Sequence, residues 1–210
     1  MRTQVRESTG TRSVPNHEHG FSLIEMTLVV AIIMVISAIA FIHIMPASQD
    51  ANCDSAMRQV IVQLRQAREY SIANRRYVQV TFPVVAGMPE VVITQRNTLT
   101  AGGGAVDTVL STVPIHAPES FLVFNTLADT PDGYGNGAAI VFQGVSGGPV
   151  GGMLFQSDGE LVSGTTFLPI NGTVFLGLAG QTSTARAVTV LGGTGRVRGW
   201  KISGTTWMEF

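Results

Sequence analysis

Hydrophobic positions along this chain fall into three regimes. From Phe21 to Met45 the sequence reads "FSLIEMTLVVAIIMVISAIAFIHIM", apolar at almost every position and without a charge from 26 to 42. Between 57 and 72 the apolar residues Met57, Val60, Ile61, Leu64, Ala67 and Ile72 recur at helical spacing, while Arg58, Arg65, Arg68 and Arg75 take other faces. Past Arg76 the pattern shifts to period two. "RYVQVTF" alternates, and "EVVITQ", "SFLVFN", "AAIVFQ", "GMLFQ", "TVFLGLA", "ARAVTVL" and "GRVRGWKI" are short β-prone runs. Between them lie "AGGGA", "PDGYGNG", "GVSGGPVGG" and "SDGE", which are turn chemistry.

These regimes predict one helix over 21–76, roughly 84 Å at 1.5 Å per residue, kinked where Pro46 removes a hydrogen bond. Its distal half cannot sit in lipid, so its apolar stripe should pack on a sheet; a membrane-surface role for the arginine face is the alternative. The remainder predicts an antiparallel β domain over 77–210, with mobile loops at 99–119 and 129–138. The fold class expected is therefore α+β, a long N-terminal helix (21–45, then an amphipathic half over 46–76) packed on a β-rich body.

Composition supports this division. Charged residues make up 13% and glycines number 24, which suits a turn-rich β body joined to an apolar element rather than a disordered chain. The formal net charge of −1 argues for no particular partner. Its distribution is uneven. No Lys or Arg occurs from Asn97 to Ala185, whereas Arg186, Arg196, Arg198 and Lys201 near the end face only Glu209, a local excess of positive charge. The lone Cys53 excludes an intrachain disulfide and a multi-thiolate metal site, and its place in the helical pattern suits a buried position.

The 21–45 run would span about 37 Å as a helix, enough to cross a bilayer core of about 30 Å. Arg2, Arg6 and Arg12 precede it, which keeps 1–20 in the cytoplasm and sends the rest across. An ordinary anchor explains the length but not Glu25. A secretory signal cut after "AIA" (38–40) would leave "FIHIM" as an unusually greasy start. A third reading cuts between Gly20 and Phe21 and keeps the apolar helix on the mature protein.

That third reading is carried by "GFSLIEMTLVVAII", which resembles the cleavage and assembly motif of type IV pilins and pseudopilins. In that family a membrane aspartyl peptidase cuts after the glycine and methylates the new N-terminus. The resemblance implies a leader over 1–20, cleavage between Gly20 and Phe21, N-methylation of Phe21 and an assembly role for Glu25. Prepilin peptidase, other pilins or pseudopilins and the inner membrane are the implied partners. The globular part would then lie in the periplasm, or in a pilus or pseudopilus. An acid in lipid costs at least about 2.5–3.5 kcal/mol and is usually paired. The amine freed on Phe21 of one subunit could meet Glu25 of a neighbour, so the acid would act as a register device; snorkelling to the headgroups is the plainer alternative. The later stretches "FQSDGE" (155–160), "TVFLGLAG" (173–180) and "ARAVTVLGGTGRVRGW" (185–200) are similar to the C-terminal pattern of the GspH/FimT minor pseudopilins. That resemblance implies a minor subunit of a type II secretion system or a type IV pilus.

Other patterns are weaker. "GVSGG" (144–148) formally matches a nucleophile elbow around Ser146, but a turn and strand follow it, not a helix. "GYGNGA" (133–138) nearly matches a dinucleotide fingerprint without a βαβ unit around it. Asp129, Asp132 and Asn136 could hold calcium, though their spacing is not that of an EF-hand and solvated turn residues fit better. His43 and His116 have no visible partners, and His17 and His19 lie in the leader. No constellation suits acid–base work, so neither an enzyme nor a cofactor is expected, and no metal site is assigned.

In "GRVRGWK", Arg196 and Arg198 sit two apart and point to one face of a strand, with Trp200 following on that face and Lys201 on the other. Two guanidiniums beside an indole could grip a phosphate backbone and stack a base. Positive charges on an exposed edge strand would also block edge-to-edge aggregation. Residues 195–198 fit the GRxR motif that is associated with DNA binding in the FimT-like branch. DNA capture through Arg196, Arg198, Trp200 and Lys201 is therefore the alternative to a structural or partner-contact role.

Overall fold

The computed structural model describes residues 21–97, 107–115, 119–124, 126–143 and 152–210. The leader with Gly20, His17 and His19, the candidate Ser146, His116 and the side chain of His43 lie outside them. The chain divides into two compact units that meet between Ile44 and Met45.

One helix, α1 (Leu23–Asn74), contributes to both units, and Pro46 does not end it. In the first unit Ser22 precedes the helix and its carbonyl accepts the Met26 N–H at 3.1 Å. Glu25 therefore falls in the first turn, where a carboxylate complements the helix dipole. The window Leu23–Ala40 is long and apolar enough to cross a membrane, and none of it is buried.

The second unit is built around the distal part of α1. Cys53, Ala56, Met57, Val60, Ile61, Leu64, Ala67 and Ser71 recur at three- and four-residue steps and are all buried. The predicted stripe thus holds as far as Ala67; Ile72, expected in it, is 41% exposed at its end. The helix stops two residues before the predicted Arg76. Arg75 turns left-handed (φ 51°), and the Arg76 N–H reaches back to the Ser71 carbonyl at 3.2 Å, a Schellman-type close.

The strands are β1 (Tyr77–Thr81), β2 (Val84–Val85), β3 (Met88–Arg96), β4 (Thr108–Pro114), β5 (Ser120–Phe121), β6 (Ile140–Gln143), β7 (Gly152–Phe155), β8 (Leu161–Val162), β9 (Asn171–Leu178), β10 (Gln181–Leu191), β11 (Arg196–Ser203) and β12 (Thr206–Glu209). They form two antiparallel sheets. One runs β2-β3-β1-β7-β8 with β4 also on β3; the other runs β12-β11-β10-β9-β5 with β6 also on β9. Every predicted β-prone run contributes a strand, although "SFLVFN" supplies only Ser120–Phe121. The expectation of a mobile loop over 99–119 fails in its second part. Thr108–Pro114 pairs with β3 from Glu90↔Pro114 to Gln95↔Thr108, because its Val and Thr residues form a strand-prone run after the glycines.

The main core lies between α1 and the two sheets. Val78, Val80, Val91, Ile93, Met153, Phe155, Leu161, Val174, Leu176, Val188, Val190 and Val197 all pack into it. The second sheet is covered on its other face as well, where Phe124, Phe175, Ala185, Ala187, Trp200, Ile202 and Trp207 form a smaller core. Gly199 shows how close the helix comes: a Cβ there would meet Ile61 Cδ1 at 2.8 Å. The architecture is α+β, a long helix packed on antiparallel sheets.

Candidate functional site

Two regions carry the residues singled out in the sequence. The first is the start of α1. Phe21, Leu23 and Ile24 are about four-fifths exposed, and the apolar side chains from Met26 to Ile39 are also open on all sides of the helix. A helix apolar all round with no buried face calls for lipid or other helices as its surroundings. Glu25 lies among these residues in the first turn, and Thr27 Oγ1 donates to the Ile24 carbonyl beside it at 2.9 Å. No described side chain forms an ion pair with Glu25.

The second region is β11 and its surroundings, which differ from expectation. Trp200 is not on an open face. It is 6% exposed, and its Nε1 donates to Thr189 Oγ1 at 2.9 Å. Because both faces of this sheet are covered, alternation along β11 separates two cores rather than core from solvent. Lys201 donates to Asp50 Oδ2 (2.7 Å) and Asp54 Oδ2 (3.2 Å) on the helix. Arg198 pairs with Asp132 at 2.8 Å and more distantly with Glu209 at 3.7 Å. Arg196 is exposed and makes no ion pair among the described residues. The four residues are therefore not one open cluster.

The expected excess of positive charge is likewise corrected. Arg186 is fully buried, with Nε on Asp54 Oδ1 and an Nη on Asp50 Oδ1, both at 2.5 Å. Together with Lys201 this forms a four-membered clamp of two cations and two carboxylates that fastens α1 to β10 and β11. Burial works to raise the Asp50 carboxyl, but its hydrogen bonds to Lys201 and Arg186 outweigh that and hold it below the ordinary value. The Asp50 hydrogen bond in turn raises Lys201. Burial, with the Glu119 charge nearby, pushes the Cys53 thiol up, which suits an inert buried thiol.

The loop acids also have structural partners. Asp129 accepts the N–H groups of Thr130 (2.7 Å) and Gly135 (2.6 Å), Asp132 accepts Thr189 Oγ1 and Arg198, and Asn136 Nδ2 donates to the Leu127 carbonyl. These bonds fix the 129–138 segment, which was expected to be mobile. In "SDGE", Asp158 Oδ1 caps the Glu160 N–H and Gly159 takes φ 87°, closing the β7–β8 hairpin. Gly195 of "GRVR" has a structural reason of its own. Its φ is 61°, and a Cβ there would collide with the Gly159 carbonyl and with Arg68 Nε.

Comparison with known proteins agrees with the N-terminal region. Residues 15–41 match the family described as the prokaryotic N-terminal methylation motif. The N-terminus is thus of the prepilin type, as in type IV pilin-like proteins. No curated protein matches the chain. Among solved structures, the type IV minor pilin FimU of Pseudomonas aeruginosa aligns at 15% identity and a TM-score of 0.45, over 78% of this chain and 97% of that one.

Proposed function

We propose that this chain is a minor pilin or pseudopilin of the GspH/FimT kind, serving a type II secretion system or a type IV pilus. It enters the inner membrane by its 1–20 leader, is trimmed between Gly20 and Phe21 by prepilin peptidase, and is methylated on Phe21. It then assembles with other pilins through the apolar start of α1, its β-rich unit on the periplasmic side. The observation that carries this reading is an all-round apolar, unburied helix bearing one acid in its first turn, inside a methylation motif. The role is structural, with no catalytic step. N-terminal mass analysis of the mature chain should give N-methylated Phe21. Glu25→Leu should leave insertion and trimming intact but remove the chain from assembled fibres; normal incorporation, or a retained leader, overturns the reading.

A second reading, DNA capture, is favoured by one observation. Arg196 does not work with Trp200 but lines a surface groove with Arg65, Arg68 and Glu69. Three guanidiniums around one groove suit phosphate oxygens better than the predicted set does. Replacing Arg65 and Arg196 by Ala should abolish salt-sensitive DNA retention by the full chain. Unchanged retention removes this reading without touching the first.

A further inference from the structure

Glu119 is an acid for which the surrounding fold holds no counter-charge. It stands one residue before β5, is 3% exposed, and its Oε1 has no hydrogen-bond partner among the described residues. The cations that reach this stretch of α1, Arg186 and Lys201, are taken up by Asp50 and Asp54, so that cluster is already balanced. No Lys or Arg occurs from Asn97 to Ala185, so the chain on either side of Glu119 has none to lend. A desolvated carboxylate oxygen is destabilising until a donor reaches it. Access exists, because Glu119 lines a groove of about 340 Å³. Asn52, Ser55, Ala56 and Gln59, at three- and four-residue steps along α1, line it too, together with Pro114 of β4.

The lining selects the kind of donor. One carboxylate among amides and a hydroxyl is poor for a hard divalent cation, which gathers several carboxylates. A guanidinium suits every part of it. Its planar fork fits a carboxylate and leaves further N–H groups over. Asn52, Ser55 and Gln59 each carry a side-chain oxygen that can accept those, and Gln59 places its Nε2 on the Pro114 carbonyl at 3.4 Å, leaving its Oε1 to accept. Ala56 and Pro114 give the methylene stem an apolar surface to lie on. An ammonium would match the charge but has fewer donors and no fork. We infer that this groove is the binding site for an arginine side chain of a different subunit in the same assembly. This rests on the proposed role as a minor pilin or pseudopilin and deepens it: a minor subunit has chains of other kinds as its neighbours, so the arginine is theirs and not that of a second copy. The site lies wholly within the Met45–Phe210 unit.

The test uses the full chain in membranes of cells that trim and assemble it, with a photo-crosslinking residue in place of Ala51, which is exposed one turn before Ser55. The adduct should join it to another prepilin-type subunit, at a peptide beside an arginine. Glu119→Gln should reduce that adduct by about tenfold or more, the loss of a charge-assisted pair across an interface. Changing the partner's arginine to Gln should reduce it as much, and the two changes together no further than either alone. Changing that arginine to Lys should also lose most of it. The melting temperature of purified Glu119→Gln should be unchanged or higher, because an unpaired buried charge is removed, and calcium chloride should not raise that of the unaltered chain. A lower melting temperature makes Glu119 a structural residue and overturns the inference, and a calcium effect that vanishes in Glu119→Gln overturns it in favour of a metal site. So does an adduct that survives Glu119→Gln, full retention with Lys, additive losses in the double variant, or crosslinks only between copies of this chain. In each of those cases a mature N-terminus at Phe21 and Glu25-dependent assembly would leave the proposed function standing.

Discussion

The two parts of α1 use one backbone conformation for two solvents. Up to Ile39 its large apolar side chains are exposed on every face, and the described residues offer them nothing to pack on. From Cys53 to Ser71 one stripe is buried against two sheets, and the opposite face carries Arg58, Arg65 and Gln66. The difference teaches that helicity here does not report environment. The breadth of the apolar face does, because a helix buried in protein needs only a stripe, whereas one surrounded by lipid or other helices needs the full circumference. Glu25 is the exception in the first part, and the Asp50–Asp54–Arg186–Lys201 clamp marks where the second is fastened.

That contrast can be tested most strongly at the clamp. Arg186→Ala leaves two carboxylates facing Lys201 alone beside a buried void, and should destabilise the Met45–Phe210 unit by about 3–5 kcal/mol in denaturant unfolding. Next, Leu64→Ala, at a fully buried position, should cost about 2–5 kcal/mol, whereas Ile32→Ala should leave the unfolding of that unit unchanged. Equal effects from the two would erase the distinction between the halves. The smallest effect concerns pH. Asp50 is held below its ordinary value in the fold, so its contribution is present above that value and is lost as pH falls through the lowered one. Lys201 is raised, so its contribution is present below its ordinary value and is lost as pH rises through the raised one. Melting temperature should therefore sag at both extremes. Asp50→Asn should flatten the acid limb and Lys201→Met the alkaline limb, both without change near neutrality beyond a constant offset.

Much of this was legible along the chain. The full-circumference apolar run, Glu25 within it and the stripe from Met57 to Ala67 follow from periodicity alone, and the "SDGE" turn from its residue types. What was not legible is pairing across distance. Asp50 and Asp54 meet Arg186 across 136 and 132 positions, and no local pattern links an acid on a helix to a base on a strand so far away. Trp200 was misplaced for a related reason. Period two tells one face of a strand from the other, but not that both faces are covered, and a tryptophan with a threonine partner is as much at home inside as out. The strand at Thr108–Pro114 was hidden by the glycines before it, which drew the whole segment into a loop. Glu119 gave no sign at all, since a lone acid before a short strand looks like an ordinary surface residue until its burial is seen.

Arg68 Nε lies 3.2 Å from both the Gly159 carbonyl and the Thr194 carbonyl. Those oxygens belong to hairpin turns of different sheets, β7–β8 in one and β10–β11 in the other. A single forked donor therefore latches both layers to the same point of the helix, so neither turn can lift away without disturbing the other's latch. Amide protons around 157–160 and 192–195 should accordingly exchange as one family, released together by Arg68→Met, and the two layers would then breathe independently.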